Sequence, residues 1–196
     1  AIPNKNKIKH LNLEEVNDNN FDFSEFEQVK LSDVENLSGA IFNKEIIREL
    51  HLEDIDVTDF DFSGLTGLRS LNLSVLQNLT VNQFSAIPNK SSIEEFISNE
   101  AIDGDHIPFD FSEFTGLTSL NLAYSYSLRL EQFSAIPNKN KIKHLNLEEV
   151  NVNNFDFSEF TSLESLNLSY TGDLSSQQFN SIPNKASIKT LTISNE

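Results

Sequence analysis

The residues able to carry chemistry are few and widely spread. Only four histidines occur in 196 residues, and His10, His51 and His144 fall at polar positions of segments that alternate like strands. They are far apart in sequence, and no Ser or Cys in a sharp turn accompanies them. A nucleophile, a base and an orienting group therefore do not assemble from named motifs. With no Cys there is no thiolate ligand, disulfide or cysteine nucleophile. The paired-histidine spacing of zinc sites is also missing. Aspartates recur at Asp22, Asp61, Asp110 and Asp156, each inside the tetrapeptide FDFS. Such a row suggests a cation site, but an Asp two residues before a Ser is explained by turn capping. Asp103-Gly104-Asp105, within Ile102–Pro108, resembles part of a calcium loop without the other acidic ligands, so a plain enlarged loop is expected. Asp54, Asp56, Asp59 and Asp61 read as solvated turn residues. The expectation is a non-enzymatic chain with no metal and no cofactor.

The formal net charge is −16. Phosphate contacts need clustered Lys and Arg, so neither nucleic acid nor an anionic membrane surface fits as a partner. A basic protein partner does fit. No run of about 18 apolar residues is present, so membrane insertion is not expected. Hydrophobic residues make up 38%, enough for a packed core.

What must position these residues is a repeat. Residues 1–26 recur at 135–160 with one difference, Asp18 against Val152. FDFS recurs at Phe21, Phe60, Phe109 and Phe155, and IPNK at Ile2, Ile87, Ile136 and Ile182. A finer pattern, apolar-x-x-apolar-x-apolar, starts at Ile8, Phe26, Ile47, Leu68, Ile93, Leu117, Ile142, Leu163 and Ile188. Its last two residues alternate as in a short strand with one buried face. The better-kept copies alternate between spacings of 21 and 25 residues.

This pattern resembles the leucine-rich-repeat superfamily across essentially the whole chain. The resemblance implies an α/β fold: a single solenoid over 1–196 of about nine strands. A curved parallel β-sheet would line its concave side. Short helices would alternate with 3₁₀ or extended segments on its convex side. The family's usual Asn or Cys after the strand is replaced by Val16, Val34, Ile55, Leu76, Ala101, Ser125, Val150 and Thr171. The turn backbone must then be satisfied in another way.

In the long repeats, Ser175 and Gln178 fit a capping box. Leu174, Phe179 and Ile182 would share one helix face, and Pro183-Asn184 would end the helix. Thr80–Ile87 and Leu130–Ile136 read alike, giving about two helical turns each. The short repeats, with FDFSGLTGL or FDFSEFTSL, leave room only for extended or 3₁₀ structure. Their alternating Phe residues would point inward as a stack.

The resemblance implies that a partner meets the concave face. The two positions after each strand make that face acidic at Glu14, Glu15, Glu53, Asp54, Glu148 and Glu149, with Tyr124 and Tyr170 on rungs between. Tyr is a common interface anchor. Asn36, Asn72, Asn78 and Asn167 lie in N-x-S/T sequons, and glycans at Asn72 and Asn167 would obstruct that face. The chain begins inside a repeat, stops after a strand and lacks polar caps, as an excerpt of a longer array would. Two functions are therefore expected in contest: a protein-binding module for a basic partner, and a structural protein that self-assembles through its ends.

Overall fold

The structure, a computed structural model, describes residues 10–16, 21–34, 37, 40–99, 110–172 and 174–194. The first IPNK copy, Ala101, the Ile102–Pro108 loop, Phe109 and the Asn36 sequon lie outside these residues.

Each apolar-x-apolar run forms a strand. In chain order these are β1 (His10–Glu14), β2 (Gln28–Ser32), β3 (Glu49–Glu53), β4 (Ser70–Ser74), β5 (Glu95–Ile97), β6 (Ser119–Asn121), β7 (His144–Asn146), β8 (Ser165–Asn167) and β9 (Thr190–Thr192). Among the described residues they make one nine-stranded parallel sheet in sequential order, each strand pairing with its chain neighbours. The register is constant. Leu50 faces Leu71, Leu71 faces Phe96, and Leu145 faces Leu166. A one-residue slip would turn every apolar column outward, so the alternation fixes the pairing. The columns Val29, Leu50, Leu71, Phe96, Leu120, Leu145, Leu166 and Leu31, Leu52, Leu73, Leu122, Leu147, Leu168 are buried. Each such side chain contributes roughly 1.5–3 kcal/mol.

The connections supply the second layer. Helices α1 (Val81–Ser85), α2 (Leu130–Ser134) and α3 (Ser176–Ser181) fill three of the long repeats. They are five or six residues long, shorter than the two turns expected. Thr80 and Gln83 form the capping box of α1, and Ser175 and Gln178 that of α3. Phe84 stacks on Phe114, and Phe133 on Phe155 and Phe160. Phe179, in contrast, stays 36% exposed, because no phenylalanine of a following repeat packs on α3 among the described residues. Its expected inward face is thus reduced to Ile182 and a partly buried Leu174.

The 3₁₀ turns lie in the long repeats, where they follow the IPN residues at Lys90–Ser92, Lys139–Lys141 and Lys185–Ser187. The FDFS segments take the extended one of the two expected forms, as extended residues and tight turns, with an isolated bridge at Asp22–Ile41. Their Asp side chains cap the turn two residues on: Ser24, Ser63, Ser112 and Ser158 each donate a backbone N–H at 2.9–3.0 Å. Phe23, Phe62, Phe111 and Phe157 are buried, as the alternation requires.

Candidate functional site

The path of the chain leaving each strand decides where the candidate residues stand. Glu14 and Glu53 are the last residues of β1 and β3, on the face of the sheet turned away from the core. The next residue in each rung turns left-handed: Glu15, Asp33, Asp54, Val75, Tyr124, Glu149 and Tyr170 all have φ between 49° and 61°. In each of these the N–H still bonds the neighbouring rung. Glu15 donates to the Ser32 carbonyl, Asp54 to Ser74, Tyr124 to Glu148, Glu149 to Ser169, and Tyr170 to Ser194. The left-handed residues therefore form one column along the carboxyl edge of the sheet. Five of the eight candidate residues belong to it, and Glu14, Glu53 and Glu148 sit one position earlier.

An asparagine column one step inside the strands satisfies the turn. The Oδ1 atoms of Asn72, Asn121, Asn146 and Asn167 accept the backbone N–H two residues on, at 2.9–3.1 Å. These Asn residues stand between the two leucines of LNL, not at the position where the family resemblance places its ladder. Asn72 is buried, and Ser74 Oγ also donates to it. A glycan at Asn72 is thus blocked by burial of the amide itself, while Asn78 is exposed in a left-handed turn.

The edge has two acidic stretches of different character. On β1–β3, Glu15, Asp33 and Asp54 stand in successive rungs. Desolvation, a hydrogen bond with Asp54 and repulsion from Asp54, Glu15 and Glu14 push the Asp33 carboxyl above its ordinary value. On β6–β8, the carboxylates are held by neutral donors. Tyr124 Oη donates to Glu148 Oε1 at 3.3 Å, Asn167 Nδ2 to Glu148 Oε2 at 3.2 Å, and Tyr126 Oη to Glu149 Oε2 at 3.1 Å. Tyr124 and Tyr126 meet edge to face, 6.5 Å between ring centroids. Tyr126 escaped the sequence reading. Its signal was the alternation Tyr124-Ser125-Tyr126, which puts both rings on one side of a buried Ser125.

Among the described residues, no Lys or Arg forms an ion pair with any of the eight candidates. The ion pairs lie away from this edge, at Lys44–Asp61, Arg69–Glu94, Lys90–Glu113, Lys139–Glu159 and Lys143–Glu164–Lys189.

The histidines are not brought together. His10 bonds Gln28, and His144 is exposed. His51 Nε2 lies 3.5 Å from Ser70 Oγ, whose hydroxyl donates to Glu95 at 2.7 Å. Burial, then Lys30, lowers the His51 pKa, which favours the neutral ring. In this trio the serine proton points at the carboxylate, and among the described residues no third group hydrogen-bonds the imidazole. That order is the reverse of what a nucleophilic serine needs. No cluster of three potential metal ligands forms among the described residues. Nor is any described helix long and apolar enough to cross a membrane.

Compared with protein-family models and with curated proteins, the sequence finds no match.

Proposed function

We propose that this chain is a leucine-rich-repeat solenoid that binds a basic protein along the carboxyl edge of its sheet. The sequential all-parallel sheet and the constant register support the solenoid reading. The observation that carries the binding reading is the row Glu14, Glu15, Glu53, Asp54, Tyr124, Glu148, Glu149 and Tyr170, which among the described residues has no Lys or Arg to neutralise it. Carboxylates without an ion pair among the described residues are complementary to a cationic surface, and tyrosines supply buried area at low rotamer cost. The binding is non-enzymatic and uses no cofactor.

The test is a titration against a small basic protein such as cytochrome c, at low and at raised salt. Changing the six acids to Gln or Asn should abolish binding and its salt dependence. Unchanged affinity in that variant would sink the proposal.

Self-assembly is the second reading, and β9 favours it. Leu191 and Ile193 are 37% and 38% exposed, whereas the same positions in inner strands are buried. Leu191→Asp should abolish concentration-dependent mass growth in light scattering. Assemblies that persist in the variant would discard this reading.

A further inference from the structure

Residues 10–16, His-Leu-Asn-Leu-Glu-Glu-Val, recur without change at 144–150. The first copy carries β1, an edge strand of the described sheet, and the second carries β7, an inner strand. The neighbour that β7 meets on its upstream side therefore shows what the outer edge of β1 is shaped to accept. That neighbour is β6. Ser119 faces His144, Leu120 faces Leu145 and Asn121 faces Asn146. The Thr118 carbonyl accepts from the N–H groups of Lys143 and His144 at 2.7 and 3.2 Å, and the Leu122 N–H donates to the Asn146 carbonyl at 2.9 Å. Leu120, Leu122, Leu145 and Leu147 are all buried at this joint.

The opposite edge strand, β9, repeats the residue classes of β6. Ser119-Leu120-Asn121-Leu122-Ala123 corresponds to Thr190-Leu191-Thr192-Ile193-Ser194: hydroxyl, aliphatic, polar, aliphatic, small. Leu191 and Ile193 stay exposed where Leu120 and Leu122 are buried. The carbonyls of Thr192 and Ser194 accept from Leu168 and Tyr170, so the alternation of the strand turns the N–H groups of Leu191 and Ile193 outward. At β1, Glu15 donates to the Ser32 carbonyl, so His10 and Asn12 turn their backbone groups outward in the same way. We propose that β9 of one copy receives β1 of a second copy as a further parallel strand, in the register of β6 and β7. Leu191 then faces the second copy's Leu11, Thr190 its His10 and Thr192 its Asn12, and the Ile193 N–H donates to the carbonyl of that Asn12. This rests on the self-assembly reading above and names the surface that meets β9.

An open sheet edge is a template for another strand. Backbone bonds supply the affinity, and the apolar columns fix the register. No like charges are opposed along the strands, since Thr190, Thr192 and Ser194 meet His10, Asn12 and Glu14. A contact between two different edges is heterologous, so each copy keeps one edge free and growth continues. The joint closes on apolar and neutral groups, while each copy carries a formal charge of −16. Raised salt screens that repulsion and should strengthen the joint, whereas it weakens the binding of a basic protein.

Two blocked variants test which edges pair. Leu191→Asp closes β9 and leaves β1 open. Asn12→Pro removes an outward N–H of β1 and spares its bonds to β2, so β1 is closed and β9 open. Light scattering at raised salt should show the unaltered protein growing with concentration and each variant alone at the chain mass of 22.1 kDa. An equimolar mixture of the two variants should double that mass and go no higher. Circular dichroism checks that both variants fold, and Ile193→Pro is a second way to close β9. Growth of Asn12→Pro alone would mean that β9 pairs with itself. A mixture that stays monomeric while the unaltered protein grows would mean that β1 is not the partner. Either result overturns this joint and leaves self-assembly through β9 standing. Growth of Leu191→Asp alone, or an unaltered protein that stays monomeric at every concentration, overturns both.

Discussion

The left-handed residue after each strand sets the direction in which Glu15, Asp54, Tyr124, Glu149 and Tyr170 leave the sheet. An L-residue in this region costs roughly 1–2 kcal/mol, and a β-branched one fits worst. Val75 occupies it with φ 53°. Val75→Asn should therefore raise stability by about 1 kcal/mol, seen as a higher urea midpoint with an unchanged slope. A second local fault lies at Ser98. It stands where neighbouring rungs carry Leu73 and Leu122, is fully buried, and its Oγ has no hydrogen-bond partner among the described residues. Ser98→Ala removes the orphan hydroxyl and should stabilise the protein by about 1 kcal/mol or more. A lower midpoint would mean that packing at this rung outweighs the polar penalty.

At the scale of elements, the repeated tetrapeptide IPNK is a connector, and its parts divide the labour. Asn89, Asn138 and Asn184 take φ near 50°. Their Nδ2 atoms bond the carbonyls of Thr66, Thr115 and Thr161, one repeat back, at 3.0–3.1 Å. The lysines that follow turn inward to the carbonyl end of the helix. Lys90 Nζ donates to Ser85 O at 3.0 Å and Lys139 Nζ to Ser134 O at 2.9 Å. A cation there completes the negative end of the helix. Gln83 and Gln178 do the same service backwards, donating to Val57 and Val152 carbonyls at 2.6 and 2.7 Å. Lys139→Met should cost about 1.5–3 kcal/mol, because a buried charge-assisted hydrogen bond disappears. Gly116→Ala should also destabilise, by about 1–3 kcal/mol, since its Cβ would sit 2.4 Å from the Ser91 carbonyl oxygen. Thermal unfolding of both variants checks the two values.

The strands, their order and the capping boxes were legible in sequence, because alternation and S/T-x-x-Q are local patterns with one physical meaning. The Phe layer was legible for the same reason. The inward lysines were not, because a lysine reads as solvated unless its acceptor is known, and here the acceptor is a helix end five residues back. The asparagine column was not legible because the family pattern puts its Asn after the strand, not between the two leucines of LNL. The left-handed turn of the backbone at the second position after each strand is not encoded in Glu, Asp, Tyr or Val. The pairing of Tyr126 with Glu149, 23 residues apart, depends on register and becomes visible only when adjacent rungs are aligned.

Over the whole molecule, charge sets the response to pH. Asp61 is held below the ordinary carboxylate value first by Lys44, Asp56 first by the Thr58 hydroxyl, and Asp110 and Asp156 first by the N–H of Ser112 and Ser158. A folded pKa lowered in this way gives stability that is present above the unfolded value, about 3.9, and lost as pH falls through the folded one. Asp33, raised in the fold, works in the opposite direction. Glu164, lowered first by its hydrogen bond with Lys189, makes five lowered carboxylates against one, which predicts a plateau above about pH 5 and a decline below about pH 4. Urea midpoints across that range measure it, and Asp110→Asn with Asp156→Asn should flatten the slope.

The sequential pairing of β1 to β9 also has a mechanical consequence. Among the described residues each strand pairs with its chain neighbours alone, and its hydrogen bonds run along the line from β1 to β9, the two ends of the sheet. Tension applied to those ends loads the rungs in series, so the weakest outer rung yields first and spares the rest. Each release frees one spacing of 18–25 residues, about 60–90 Å of slack. Under force the protein should behave as a ratcheted spring, lengthening in near-equal steps and rewinding strand by strand when the load is removed.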